Sequence, residues 1–280
     1  MSNDDKLSSI IRTLSLADSN LENLIANQDE LTVALNLAAD YGLMITHNNG
    51  LYTLENKLKI LDKSIIYNHL ELLNSDIDIE LSIKDFVNTT TEEFDPREIK
   101  SNELKISIAE FQKQGRGRQN RKWFSPFGAG ISSSIFKHLS KNINPIGLSL
   151  YLGIRIIDAL DEIGFHGIKL KWPNDLYYKD KKLGGILVDI YQNSDLDSVI
   201  SLGIGINYCL PDNKNFNFDT EKTPIDLCSI IKDENIDRST VAGHLLKRVI
   251  ENLNSFNENS LKDEQERWKD IDYLYAKTIT

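Results

Sequence analysis

Leu7, Ile10, Ile11 and Leu14 recur at the three-and-four spacing that lines one face of a helix, and Leu31, Leu35, Ala38 and Ala39 repeat it. After Gly42 the period shortens to that of strands. Leu43-Met44-Ile45-Thr46 and Leu51-Tyr52-Thr53-Leu54 flank His47-Asn48-Asn49-Gly50. Asn-Gly takes the positive φ that a tight reversal between strands needs, so residues 1–56 predict short helices followed by a hairpin.

The rest of the chain mixes both periods. Ile106 to Phe111 alternates as a strand does, and Ile131 to Phe136 does so more loosely. Ile168 to Trp172, Gly185 to Tyr191 and Val199 to Tyr208 are rich in the β-branched residues that suit a pleated surface. Helices are predicted over Gly147 to Ile163, with Gly164 as the terminating residue, and over Thr240 to Phe256. The pattern defines an α+β protein, a mixed sheet with helices packed on one side. The N-terminal order suits a winged helix-turn-helix with the hairpin as its wing. A lysine-containing stretch, Lys57 to Lys63, sets the boundary, giving domains over 1–60 and 61–280.

Length and charge narrow the functional classes. A chain of 280 residues can bury a sizeable core, and a net charge of −10 excludes a surface that binds polyanions throughout. Cys209 and Cys228 are too few for a disulfide framework, and the five histidines show no metal-ligand spacing. The first seven residues carry acids where a signal peptide carries basic residues, and no apolar run approaches the ~20 residues that span a bilayer. The expectation is a soluble, cytoplasmic protein with no membrane partner.

Against that acidic background, Lys113-Gln114-Gly115-Arg116-Gly117-Arg118-Gln119-Asn120-Arg121-Lys122 holds five cations and no acid. Its glycines let the backbone approach a ligand closely, while each guanidinium offers a planar fork to phosphate or carboxylate. On this loop alone, an anion-binding site on one side, and a solvated surface segment or short nucleic-acid binder taken together on the other, are equal alternatives. A second segment, Lys171-Trp172-Pro173-Asn174-Asp175-Leu176-Tyr177, leaves a strand and turns. It is followed by Lys181-Lys182-Leu183-Gly184-Gly185-Ile186-Leu187, and a hairpin between the two would carry Lys182 back towards Trp172.

Together these segments, with Ile108-Ala109-Glu110-Phe111-Gln112, Arg121 to Gly128 and Gly203-Ile204-Gly205-Ile206-Asn207, resemble the biotin protein ligases. The likeness is specifically to the bifunctional type that also serves as biotin operon repressor. The resemblance implies a central mixed-sheet, class II synthetase-like ligase domain that uses biotin and ATP, with Mg²⁺. Such an enzyme condenses the two to biotinyl-5′-AMP and passes biotin to a lysine of the biotin carboxyl carrier protein, an acetyl-CoA carboxylase subunit.

The resemblance also implies roles. The Gly-Arg loop closes over the adenylate as a lid, and Arg118 and Lys182 are catalytic. Thr89, Thr90, Gln112, Gly115, Arg116, Gly117, Arg118, Lys182, Gly185 and Ile186 contact biotin. Arg118, Arg121, Trp123, Asn174, Asp175, Lys182 and Asn207 contact ATP, and Asp175 is the candidate Mg²⁺ ligand. A homodimer and binding of operator DNA are the further family properties. A lipoate-type ligase and a non-catalytic biotin-sensing regulator are the alternative readings.

Three features depart from the family pattern. Asn88-Thr89-Thr90-Thr91 stands where the family has Asp-Ser-Thr-Asn, keeping hydroxyls but exchanging an acid and an amide. Residues 1–56 contain Lys6 and Arg12 against eight acids, a balance of −6, and Asp29 to Asp40 has no cation. Such a surface should repel DNA. Finally, the chain reaches Thr280 soon after a Trp-containing segment, Arg267 to Asp272, so the family's small C-terminal β-barrel is expected to be absent.

Overall fold

The computed structural model describes residues 2–21, 24, 25, 27–55, 58–73, 77–139, 143–192, 198–211, 224–231 and 237–275. Glu22 and Lys57, which enter the charge and boundary arguments, lie outside the described residues, as does Thr280.

The N-terminal unit contains α1 (Asn3–Leu16), α2 (Gln28–Asp40) and the antiparallel pair β1 (Ile45–Asn48) and β2 (Leu51–Leu54). Ser2 and Asp5 form a reciprocal capping box that starts α1, and the Asn27 side chain caps α2. The α1 stripe is buried as predicted. On α2 the buried residues are Leu31, Ala34 and Ala38, one helical face, whereas Ala39 turns outward. Asn49 and Gly50, at φ 51° and 79°, make the expected reversal between β1 and β2.

After α3 (Lys63–Leu70), a seven-stranded sheet forms from β3 (Asp78–Val87), β4 (Glu103–Gln112), β5 (Gly130–Leu139), β6 (Ile168–Lys171), β7 (Asp175–Tyr178), β8 (Lys181–Gln192) and β9 (Ser198–Asn207). Their order is β3-β4-β5-β9-β8-β7-β6, parallel between β3 and β4 and antiparallel elsewhere. The edge strand β3 has no counterpart among the predicted strands, although Ile79, Leu81 and Ile83 alternate with polar residues. The remaining helices are α4 (Leu148–Glu162), α5 (Leu227–Ile231), α6 (Arg238–Ser255) and α7 (Trp268–Ile271).

The main core joins one face of the sheet to α3, α4 and α6. Leu104, Ile106, Ile108, Ile135, Ile186, Leu202 and Ile204 meet Ile66, Leu70, Leu152, Ile156, Val241, Leu245 and Val249 there. Alternate residues along each strand face opposite sides, so Ser107, Ala109, Ser132, Ser134, Gly203 and Gly205 belong to the other face. The N-terminal unit has its own small core around Ile10, Leu14, Leu31 and Tyr52. It shares a second with the sheet domain, in which Leu7, Ile11, Ala38 and Leu43 pack with Phe111 and Phe127.

Polar contacts fasten the same junction. Arg12 grips Asp85 of β3 with Nη2 at 2.6 Å and Nε at 3.0 Å, Ser8 also donates to Asp85, and Lys113 pairs with Asp4. The Tyr41 ring stacks on Phe111 with centroids 4.2 Å apart. Both cations among residues 2–55 are thereby paired, since Lys6 meets Glu30 at 2.8 Å.

Candidate active site

Small residues form the floor on the face away from the main helices. Strand register aligns Ala109, Ser132, Gly205, Gly185 and Asp175 in one row across β4, β5, β9, β8 and β7. Ser107, Ser134 and Gly203 form the beginning of the next row. With little side chain rising from β9, other groups can lie directly on the sheet. Trp123 does so over Gly205, whose hypothetical Cβ would meet the indole ring at 2.6–2.9 Å, and Thr91 approaches Gly203. Gly203 and Gly205 are two residues apart on one strand, about 7 Å.

The loop after β4 crosses this floor as a self-paired hairpin. Trp123 N donates to Gly115 O at 2.8 Å and Gly117 N to Arg121 O at 2.7 Å, with Gln119 near the tip at φ 55°. The tight pairing requires Gly115, because any Cβ there would collide with the Trp123 carbonyl. Arg116 and Arg118 both stay exposed, and both are anchored. Arg116 donates to Thr91 Oγ1 at 3.0 Å and lies 3.4 Å from Glu92, while Arg118 reaches Asn174 Oδ1 at 3.4 Å.

On one side of the hairpin, the Gln112 side chain at the end of β4 is enclosed by hydroxyls. Its Oε1 accepts from Thr90 N at 2.8 Å, Thr90 Oγ1 at 3.1 Å and Thr89 Oγ1 at 3.3 Å. Ser134 donates to Thr90 Oγ1 at 2.7 Å, tying the 3-10 turn Thr90–Glu92 to the sheet. Thr89, Thr90 and Thr91 are all buried, so the departing motif is part of the site wall.

On the other side, Trp123, Asn174, Asp175, Lys182 and Asn207 converge. Lys182 lies on β8. Tyr177 is its strand partner, its Nζ is 2.8 Å from Asp175 Oδ1, and it stands 5.9 Å from the centre of the Trp123 ring. The Asn174 amide donates to Ile186 O at 2.7 Å. Asn207, buried at the end of β9, donates to Ile225 O at 3.0 Å. Burial raises the Tyr177 hydroxyl above its ordinary range, helped by Asp175, so it stays neutral.

Not every predicted contact is placed alike. The Ile186 side chain points into the main helix-side core, leaving its backbone to bond Asn174. The Arg121 side chain is exposed, and it is the residue's backbone that closes the hairpin. Gly117 shapes the same hairpin, and Gly185 lies against the Asp175 carboxylate. Sequence reasoning missed Thr91, Glu92, Ser132 and Ser134; the alternation of serines with isoleucines on β5 is the signal that could have exposed the last two. Among the described residues no cluster of three or more metal-ligating side chains occurs. Asp175, one carboxylate already paired with a lysine, suits a metal that arrives with phosphate oxygens and water as its other ligands.

Residues 84–207, which hold the glycine and serine floor and the cationic hairpin above it, match the Biotin/lipoate A/B protein ligase family. The chain belongs to this family, on its biotin protein ligase side. It is 32% identical over 234 residues to the Bifunctional ligase/repressor BirA of Salmonella typhimurium, a match covering 81% of this chain and 68% of that protein. Identity to the Escherichia coli protein of the same name is 36% over 176 residues, 61% of this chain and 53% of the relative, so that match spans about half the relative's length. Among solved structures, the biotin protein ligase from Aquifex aeolicus in complex with biotin and ATP is similar with a TM-score of 0.57 and 30% identity. That similarity covers 69% of this chain and 78% of the other. No helix among the described residues is long and apolar enough to cross a membrane.

Proposed function

We propose that the chain is a biotin protein ligase that condenses biotin with ATP to biotinyl-5′-AMP and transfers biotin to a lysine of a biotin carboxyl carrier domain. The observation that carries this reading is the convergence of Arg118, Lys182, Asn174 and Trp123 over a floor of small residues. The buried indole Nε1 of Trp123 finds no acceptor among the described residues, which suits a site completed by a ligand.

In the first step the biotin carboxylate oxygen attacks the α-phosphorus of ATP, and the bond to the β-phosphate oxygen breaks to release pyrophosphate. In the second, an acceptor lysine amine attacks the acyl carbon of the mixed anhydride, forming the amide and expelling AMP. Two anions meet in the first step, so fixed cations are the main requirement. Lys182 and Arg118 stabilise the charge that develops on the phosphoryl oxygens. Phosphate oxygens would compete with Asp175 for Lys182, and Asp175 is the residue that would hold an accompanying Mg²⁺, which would supply further neutralisation of phosphate charge.

Gln112, Thr89 and Thr90 would hold the ureido ring of biotin, joined by Gly115, Gly117, Arg116 and the floor at Gly185. Trp123, Asn174, Asp175 and Asn207 serve the nucleotide, with the backbone of Arg121 and Ile186 shaping the wall. The hairpin keeps water from the reactive anhydride.

The N-terminal unit, which we assign to residues 1–60 as a winged helix-like domain, packs against the ligase domain over 61–280 and does not serve DNA. Residues 1–56 carry a net charge of −6, and the two cations among them, Lys6 and Arg12, are engaged with Glu30 and Asp85.

The test mixes the purified full chain with biotin, ATP, Mg²⁺ and a carrier domain and measures the intact mass of the carrier. Attachment of one biotin that requires ATP is the expected result. No mass gain, or equal use of lipoate, would overturn the reading.

A further inference from the structure

The chain contains two cysteines, and the fold brings them together. Cys209 lies two residues beyond Asn207 at the exit of β9, and Cys228 lies in α5. Cys228 N donates to Tyr208 O at 3.0 Å, Cys209 N to Ala129 O at 3.1 Å, and Leu210 N to Asp226 Oδ2 at 3.1 Å. The stretches 208–210 and 226–228 are therefore tied side by side.

The neighbouring Cys209 thiol, together with burial, pushes the Cys228 thiol well above its ordinary range. Cys228 keeps its proton and is buried, and Cys209, only partly buried, is the more accessible of the two.

The residues that flank these stretches, Asn207 and Ile225, line the nucleotide side of the site. Ile225 N donates to Lys182 O at 2.9 Å, and Ile225 O accepts from Asn207 Nδ2 at 3.0 Å. A covalent link between residues 209 and 228 would hold residue 225 against the strand that carries Lys182.

We propose that Cys209 and Cys228 are a peroxide-reactive pair whose disulfide slows turnover by restraining the wall beside Lys182 and Asn207. The Cys209 thiolate attacks one peroxide oxygen, the O–O bond breaks, and a proton is taken up to give Cys209 sulfenic acid and water. The Cys228 sulfur then attacks the sulfenic sulfur, forms the S–S bond and releases a second water. Two thiols are oxidised and one peroxide is reduced to two waters. A thiol such as dithiothreitol reverses the change. The thiol chemistry stands on its own, whereas its effect on turnover rests on the ligase reading.

The experiment treats the folded full chain with graded hydrogen peroxide, then counts free thiols, records the intact mass without reductant and measures biotin-dependent pyrophosphate exchange. Expected are two thiols falling to none, a monomeric product lighter by two hydrogens, and exchange slowed by about threefold or more, restored by dithiothreitol. Cys209→Ser and Cys228→Ser should fold, retain exchange and lose this sensitivity. Persistence of both thiols, oxidation to sulfinic acid, a link between chains, or a disulfide that leaves exchange unchanged would each overturn the proposal. Absence of exchange before any oxidation would instead sink the ligase reading, while the thiol count and mass still judge the pair.

Discussion

Arg116 donates to the Thr91 hydroxyl at 3.0 Å and lies 3.4 Å from the Glu92 carboxylate, so the segment that departs from the family pattern is the one that fastens the base of the hairpin. Both members of the ion pair are substantially exposed, which limits such a pair to about 0.2–1 kcal/mol, a factor of a few. Glu92→Gln combined with Thr91→Val should therefore loosen the hairpin without unfolding the sheet. The expected outcome is tryptic cleavage after Arg116 and Arg118 accelerated a few-fold, with a similar rise in biotinyl-adenylate dissociation. Unchanged cleavage would show that the hairpin is held elsewhere.

Arg118 is the hairpin's other tether, through Asn174, and it is also the cation we place at the phosphoryl group. Its loss should remove both functions. Arg118→Gly is expected to slow adenylate formation by on the order of 10²-fold and to release the adenylate it does make, labelling bystander lysines. Tight retention together with unchanged acceptor selectivity would remove the lid from the mechanism.

Gly205 supports Trp123 by offering no Cβ. Gly205→Ala would push a methyl group to within 2.6–2.9 Å of the indole ring, which must then move off the sheet. The fold should survive, because the displaced group is a half-buried side chain. The ATP KM should rise about tenfold with a smaller change in kcat, and tryptophan emission should shift to the red. Wild-type ATP KM in this variant would argue against a nucleotide role for Trp123.

Glu110 and Arg238 are fully buried and paired, and Glu110 also accepts from Leu61 N at 2.6 Å. Arg238 Nη1 reaches Gly130 O at 3.2 Å. Arg238→Met leaves a carboxylate without its counterion and should cost about 3–5 kcal/mol, measured as a fall in denaturant midpoint. Adding Glu110→Gln should recover part of that loss. A single variant as stable as the wild type would show that the pair is dispensable.

The pairing of Lys6 with Glu30 and Arg12 with Asp85 makes a further outcome testable. A gel-shift at low salt, with biotin and ATP present, should show no retention of operator DNA. Specific, biotin-dependent binding would restore the repressor role that charge opposes.

The α1 stripe, the Asn49-Gly50 reversal and the limits of α4 were legible because period and turn chemistry act locally. The Lys113 to Trp123 hairpin stood out for the same reason, its cations contrasting with an acidic chain. What could not be read were relations across the sheet. Ile186 belongs to the helix-side core because strand register sends its side chain there, while its backbone faces Asn174. Lys182 sits on a strand because β7 and β8 pair through it, and Ser134 joins the site only because β5 brings it beneath Thr90. Such neighbours are far apart along the chain, and tertiary pairing decides them.

Gly205 and Gly203, whose missing Cβ atoms let Trp123 and Thr91 lie against β9, give the floor of the site a specification made of omitted carbon. Adding one methyl group there keeps every charged residue in place. A methyl group at Gly205 would therefore weaken the site while leaving any inventory of its reactive groups unchanged.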